Sequence, residues 1–209
     1  MKIRGWISRG TDSLGIKPFE SRKIPFGKKG RGEDGGLKRH GRPPPMTRNE
    51  YEVGMCLLKF LESVEGRRAR IYSDVGGQPT IGIGHMLTPS ERKSGKIRIA
   101  GNPVIYRNGL SDEDIDRLCL QDAERAARAV RVYVNVPLEE NQFNALVSFV
   151  FNVGEEAFRW STLLRRLNLG DYESVPGQLK RWVYSCGAKI RGLAIRRQKE
   201  IEEWNNCQD

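Results

Sequence analysis

Two carboxylic acids nine residues apart, Glu65 and Asp74, and a threonine six residues further on, Thr80, are the side chains of this sequence best suited to chemistry. Two carboxyl groups facing each other across a cleft meet the requirement for glycoside hydrolysis. One stays protonated to give its proton to the leaving oxygen. The other stays ionised to orient or activate a water. Unequal burial is what separates the two pKa values, with an acid of this kind raised to about 6. A threonine hydroxyl both donates and accepts hydrogen bonds, so Thr80 can hold a water in place. Taken without their neighbours, the same residues also read as a capping Asp and a surface Glu.

The flanking sequence supplies elements able to bring the three together. Thr47 to Glu50 has the form of a capping box. Val53, Cys56, Leu57, Phe60, Leu61 and Val64 follow at helical spacing, which predicts a helix from Thr47 that ends at Glu65-Gly66. Ile71-Tyr72-Ser73, a Gly76-Gly77 turn and Thr80 to Ile83 read as a β-hairpin. Asp74 then ends one strand and Thr80 starts the next. A weaker hairpin is expected around Ile97-Arg98-Ile99 and Val104-Ile105-Tyr106. Ser111 caps a long helix that buries Ile115, Leu118, Cys119 and Ala126. Another helix carries Phe143, Leu146, Val147, Val150 and Phe151 and closes at Gly154. Further helices are expected over 162–169, 172–184 and 193–204. The fold class is α+β, mostly helical, with a small β-hairpin region near its start.

Leu61-Glu62-Ser63-Val64-Glu65-Gly66-Arg67, Ile71-Tyr72-Ser73-Asp74 and Thr80-Ile81-Gly82-Ile83-Gly84-His85-Met86-Leu87-Thr88 closely resemble the phage-type lysozymes, glycoside hydrolase family 24, which includes the T-even-phage lysozymes. The family spacing of Glu, Asp and Thr is met by Glu65, Asp74 and Thr80. The resemblance extends through Leu138 to Gly154, Ser161 to Asn168, Lys180 to Tyr184 and Arg191 to Arg197, and covers about residues 50–205. It implies a lysozyme-like domain over 47–209. The implied reaction cleaves the β-1,4 bond between N-acetylmuramic acid and N-acetylglucosamine in peptidoglycan. In these terms Glu65 is the general acid, Asp74 holds the attacking water or stabilises the oxocarbenium-like charge, and Thr80 helps position the water. The resemblance favours inversion.

It also assigns Gly84 and Met86 to the wall of the saccharide cleft, and pairs His85 with Asp122 as a structural couple. Phe151 has two readings, an aromatic lining the cleft or plain core packing. Tyr72, two residues before Asp74, either supports that carboxylate or packs. Arg196-Arg197 could reach a carboxylate near the site, but a solvated helix face is the favoured reading. Trp160, Trp182 and Trp204 read as core, and Cys56, Cys119 and Cys186 as buried thiols. The stretch from Ser90 to Gly109 is an insertion relative to the shortest family members, either a cleft rim or an inert hairpin.

Composition bounds the rest. The 209 residues are 38% hydrophobic and 30% charged, with a net charge of +10. That is enough apolar sequence for one core, and excludes a collagen or a disulfide knot. No apolar run is long enough to span a membrane. Residues 1–20 carry Lys2 and Arg4 without an apolar stretch between, so no secretory signal is expected. The four cysteines show no pairing pattern, and His40 and His85 lie too far apart for a zinc site to be expected. No metal and no cofactor is implied. Residues 1–49 hold 13 of the 36 Lys and Arg against four Asp and Glu, so nearly all of the net charge belongs there. With nine glycines and five prolines, 1–46 reads as a basic, flexible extension.

These expectations place a monomeric enzyme in the host cytoplasm before holin-type release, acting in phage-mediated lysis. Two other functions fit the sequence. One is a virion-associated lysozyme used at entry. The other is a polyanion-binding module in which residues 1–46 contact anionic membrane, lipopolysaccharide or nucleic acid.

Overall fold

The computed structural model describes residues 49–74, 76–185 and 187–206, all within one unit of the chain. The extension expected over 1–46, Thr47 of the expected capping box, Cys186 and Cys207 lie outside the described residues. The first helix, α1 (Met55–Glu65), starts eight residues later than the sequence pattern predicts, with Gly54 as its N-cap. The physical reason is that the chain over 49–54 is tied down outside any helix by distant partners. The buried Asn49 side chain donates to the Val136 carbonyl and accepts from the Leu138 amide, at 3.0 and 2.8 Å. The Tyr51 hydroxyl donates to the Leu138 carbonyl, and the Arg131 guanidinium donates to the Tyr51 carbonyl. These bonds satisfy local polar groups that a longer helix would redirect. α1 buries Leu57, Leu58 and Leu61, while Cys56 is exposed, contrary to the expected face. The helix ends where expected, with Gly66 at φ +74° donating its amide to the Glu62 carbonyl.

Three antiparallel strands follow, β1 (Arg68–Ser73), β2 (Pro79–Gly82) and β3 (His85–Met86), in that order across the sheet. The sequence pattern predicts only the first two. Tyr72 pairs with Thr80 and Thr80 with Met86, so these three residues form one row across the sheet. Ile81 and His85 pair on the alternate row. The segment after β3 forms a short helix, α2 (Pro89–Ser94), with a capping box from Thr88 and Glu91 and Pro89 at its start. The second hairpin is present as β4 (Lys96–Ile99) and β5 (Asn102–Ile105). Ile97, Ile99 and Tyr106 bury into the core, so the insertion is integral to the domain.

The remaining described elements are mostly helical. α3 (Asp112–Tyr133) is capped by Ser111 and carries Asp112, Glu113 and Asp114 in its first turn, complementing the helix dipole. α4 (Glu140–Val153) is buried almost all round, with apolar residues on most of its surface and buried Asn144, Ser148 and Asn152 recurring every four residues. It packs against α3 on one side and α8 (Arg191–Asn205) on the other. Between them come α5 (Glu155–Arg159), α6 (Thr162–Leu167) and α7 (Val175–Leu179). The helix expected over 172–184 is confined to α7. Beyond it the chain turns into a two-stranded hairpin, β6 (Tyr184–Ser185) and β7 (Ala188–Lys189). Trp204 is buried and Trp182 packs edge-on against Phe149, but Trp160 is 76% exposed and is not core.

His85 ties the sheet to α3. Its Nδ1 lies 2.7 Å from Asp122 Oδ2, and both residues are buried. Its Nε2 lies 3.4 Å from Glu91 Oε1 on α2. The other Glu91 oxygen accepts from the Thr88 amide at 2.7 Å. The capping box of α2 therefore also aims a carboxylate at His85. Replacing Asp122 with Asn keeps the shape but removes the charge that strengthens the bond to His85. We expect Asp122→Asn to lower stability at neutral pH by about 1–3 kcal/mol in urea unfolding, with specific activity near wild type. A variant of full stability and no activity would contradict this structural assignment.

Candidate active site

Glu65 is the last residue of α1, and its side chain is 2% exposed. Two features hold it. The first is Gly84, in the turn between β2 and β3, at φ +70°. A Cβ there would lie 2.9 Å from Glu65 Cδ and 3.1 Å from Oε2. Only glycine combines this backbone conformation with so close an approach. The second is Arg196 on α8, whose Nη1 donates to Glu65 Oε1 in a buried ion pair. Burial pushes the Glu65 carboxyl up, but the Arg196 guanidinium beside it contributes to the opposing pull that holds the carboxyl below the usual carboxylate range. Because the folded-state pKa is depressed, the pairing adds stability above the ordinary carboxylate value. That contribution is lost as pH falls through the folded value.

Arg196 is itself held from behind. Its Nε donates to Glu200 Oε1 at 2.9 Å, and its Nη2 donates to the Ser148 carbonyl and hydroxyl at 2.9 and 3.0 Å. The Ser148 hydroxyl donates in turn to Glu200 Oε1 at 2.8 Å. Just beyond the same end of α1, Arg67 forks between Glu62 and Asp116 at 2.9 and 2.5 Å, joining the helix end to α3. Lys199 Nζ donates to the Ser63 carbonyl at 2.6 Å. The end of α1 is thus fixed from both α3 and α8.

Asp74 follows β1 in a tight loop. Its Oδ1 accepts from the Gln78 amide at 2.7 Å, and its own amide donates to the Gln78 carbonyl at 2.9 Å. Thr80, nearly buried, donates its hydroxyl to the same Gln78 carbonyl at 3.1 Å. Asp74 and Thr80 therefore share one anchoring residue, Gln78. Tyr72, paired with Thr80, is half-buried. Its phenol is pushed up first by burial and then by the negative charges of Glu65 and Asp74.

A helix end and a small sheet that bring Glu, Asp and Thr together suit acid-assisted attack of water on a glycoside. Residues 62–200 of the sequence match the phage lysozyme family model. The chain belongs to the phage lysozyme family. It is 38% identical over 140 residues to the endolysin of Salmonella phage P22, covering 67% of this chain and 88% of that one. It is 34% identical over 139 residues to a SAR-endolysin of Bacteriophage PS119, covering 66% of this chain and 75% of that one. Its fold is similar to that of an endolysin from Escherichia coli O157:H7 phage FAHEc1, with a TM-score of 0.62 and 29% identity over 77% of this chain and 97% of that one. This phage lysozyme is accordingly a glycoside hydrolase that lyses peptidoglycan.

Several sequence expectations for the site change. Arg196 and Arg197 are 3% and 1% exposed, so they are not a solvated helix face. The signal for this was present in the sequence. Leu193, Arg196, Arg197, Glu200, Ile201 and Trp204 recur at helical spacing, and they are the buried stripe of α8. Phe151 is fully buried, which answers to the packing reading and leaves its ring no surface for a sugar in this conformation. Gly84 acts as the space that Glu65 occupies. Met86 is half-buried beside Thr88 and Arg98, next to the insertion.

The close approach at Gly84 yields a sharp expectation for the phage lysozyme. Gly84→Ala should cost about 1–2 kcal/mol of stability through backbone strain. It should also lower the rate of sacculus hydrolysis at least about 100-fold, because a misplacement of 1 Å can cost that much. Circular-dichroism melting beside a reducing-end assay reads both. Unchanged turnover in a folded Gly84→Ala protein would show that the fit between Gly84 and Glu65 is irrelevant to the chemistry.

Proposed function

We propose that Glu65, Asp74 and Thr80 carry the hydrolysis of the N-acetylmuramic acid to N-acetylglucosamine β-1,4 bond. Glu65 is the general acid, Asp74 holds and polarises the attacking water, and Thr80 orients it. The observation that carries this reading is the seating of Glu65 between Gly84 and Arg196, beside the small sheet in which Gln78 anchors both Asp74 and Thr80. The resting ion pair keeps Glu65 ionised, whereas a general acid must carry a proton. Arg196 therefore has to loosen its hold when a saccharide enters the cleft. Its other bonds, to Glu200 and Ser148, keep the guanidinium satisfied when it does. Thr80 retains hydroxyl lone pairs for a water while it donates to Gln78.

In this reading the lysozyme domain spans 47–209 and works as a monomer in host lysis, as the endolysin names of its relatives support. No helix among the described residues is long and apolar enough to cross a membrane. Accumulation in the host cytoplasm followed by release through a holin-type pore is part of the proposal. So is contact of the basic residues 1–46 with an anionic membrane or lipopolysaccharide.

The test is clearing of purified Gram-negative sacculi by wild type and by Glu65→Gln. A general acid contributes about 10²–10⁴-fold, so the variant should lose activity of that order, with new reducing ends appearing only in the wild-type reaction. Equal clearing by both proteins would remove Glu65 from the mechanism.

A further inference from the structure

A second concavity, of about 600 Å³, lies between the end of α7, the β6–β7 hairpin and α8. Four cations line it, Lys180, Arg181, Lys189 and Arg197, and no Asp or Glu is among its described lining residues. Tyr184 and Ile201 give it an apolar side. Three of the cations are exposed, but Arg197 is 1% exposed.

Arg197 is incompletely satisfied. Its Nη2 donates to Asn152 Oδ1 and Glu200 Oε1, both at 3.0 Å, and its Nε lies 2.9 Å from Glu200 Oε2. Its Nη1 is buried and has no hydrogen-bond acceptor among the described residues. Glu200 Oε1 is shared, because it also accepts from Arg196 and Ser148. Arg197 Cζ lies over the Phe149 ring, 4.9 Å from its centroid, and an aromatic face offers no hydrogen-bond acceptor of carboxylate strength. Burial pulls the Arg197 pKa down, to about 10, so the group is still charged at neutral pH. A buried charged donor with an open N–H carries a desolvation cost that an anionic oxygen would offset.

We propose that this pocket is a binding site, separate from the Glu65 cleft, for a small ligand that carries a phosphate or carboxylate on an apolar body. The anion docks on Arg197 Nη1. Lys180 and Lys189 close over it as point charges, and the apolar part lies along Tyr184 and Ile201. Guanidinium and ammonium donors both suit such oxygens, and the lysines leave room for either shape.

The experiment is titration of the full-length protein with phenyl phosphate and, separately, with N-acetyl-D-alanyl-D-alanine, followed by side-chain NMR of the Arg197 guanidinium. We expect saturable binding of at least one probe, with the Arg197 resonance shifted. In Lys180→Ala/Lys189→Ala, which changes only exposed side chains, its Kd should rise about tenfold or more. Preference for phenyl phosphate assigns the site to phosphate-bearing ligands such as lipid headgroups. Preference for the dipeptide assigns it to peptide carboxylates. Failure of both probes to saturate, or equal affinity in wild type and the double variant, would overturn the proposal. The readout is binding rather than lysis, so either result leaves the hydrolytic reading of Glu65 untouched.

Discussion

The buried ion pair between Glu65 and Arg196 is the interaction on which the rest of the site depends. A carboxylate taken out of water loses far more than it gains from apolar neighbours, unless a cation and hydrogen bonds replace its hydration. Here the cation comes from α8, the last helix described, and the carboxylate from α1, the first. The pair therefore closes the fold across its whole described length. It also pulls the carboxyl of the group proposed as the acid toward its ionised form, against the effect of burial.

The wider structure can be understood as support for that pair. α4 is buried on almost all sides and provides the Ser148 and Asn152 groups against which the α8 arginines rest. Glu200 balances both arginines, so a buried stripe containing three charged residues can exist within an otherwise apolar core. On the other side of Glu65, the β2–β3 turn offers a glycine where any side chain would collide. The sheet then carries Tyr72, Thr80 and Met86 in one row, and its alternate row sends His85 to Asp122 on α3.

Much of this was legible in the residues. The helix end at Glu65-Gly66, the first hairpin, the Ser111 cap and the Gly154 stop all follow local rules of capping and turn chemistry, and they place Glu65, Asp74 and Thr80 correctly along the chain. What was not legible depended on distant partners. The start of α1 is set by Asn49 and Tyr51 reaching residues almost ninety positions away. The short strand β3 exists because β2 pairs with it, and two residues carry no periodicity to read. The α8 arginines looked like surface because charge normally means surface. Their burial depends on Glu65 and Glu200 lying opposite, and α1 lies far from α8 in sequence. Trp160 failed in the other direction. It looked like core, but it is the exposed C-cap of the short helix α5.

The central claim is that Arg196 keeps Glu65 ionised at rest and that saccharide binding returns a proton to it. The direct measurement is the titration of the Glu65 side-chain carboxyl by ¹³C NMR, in the free protein and with a chitooligosaccharide bound. The account predicts a midpoint below the ordinary carboxylate range in the free protein, raised when the sugar is bound. Arg196→Met should raise the midpoint without any sugar. An ordinary midpoint in the free protein, or one that does not move when the cleft is filled, would contradict it.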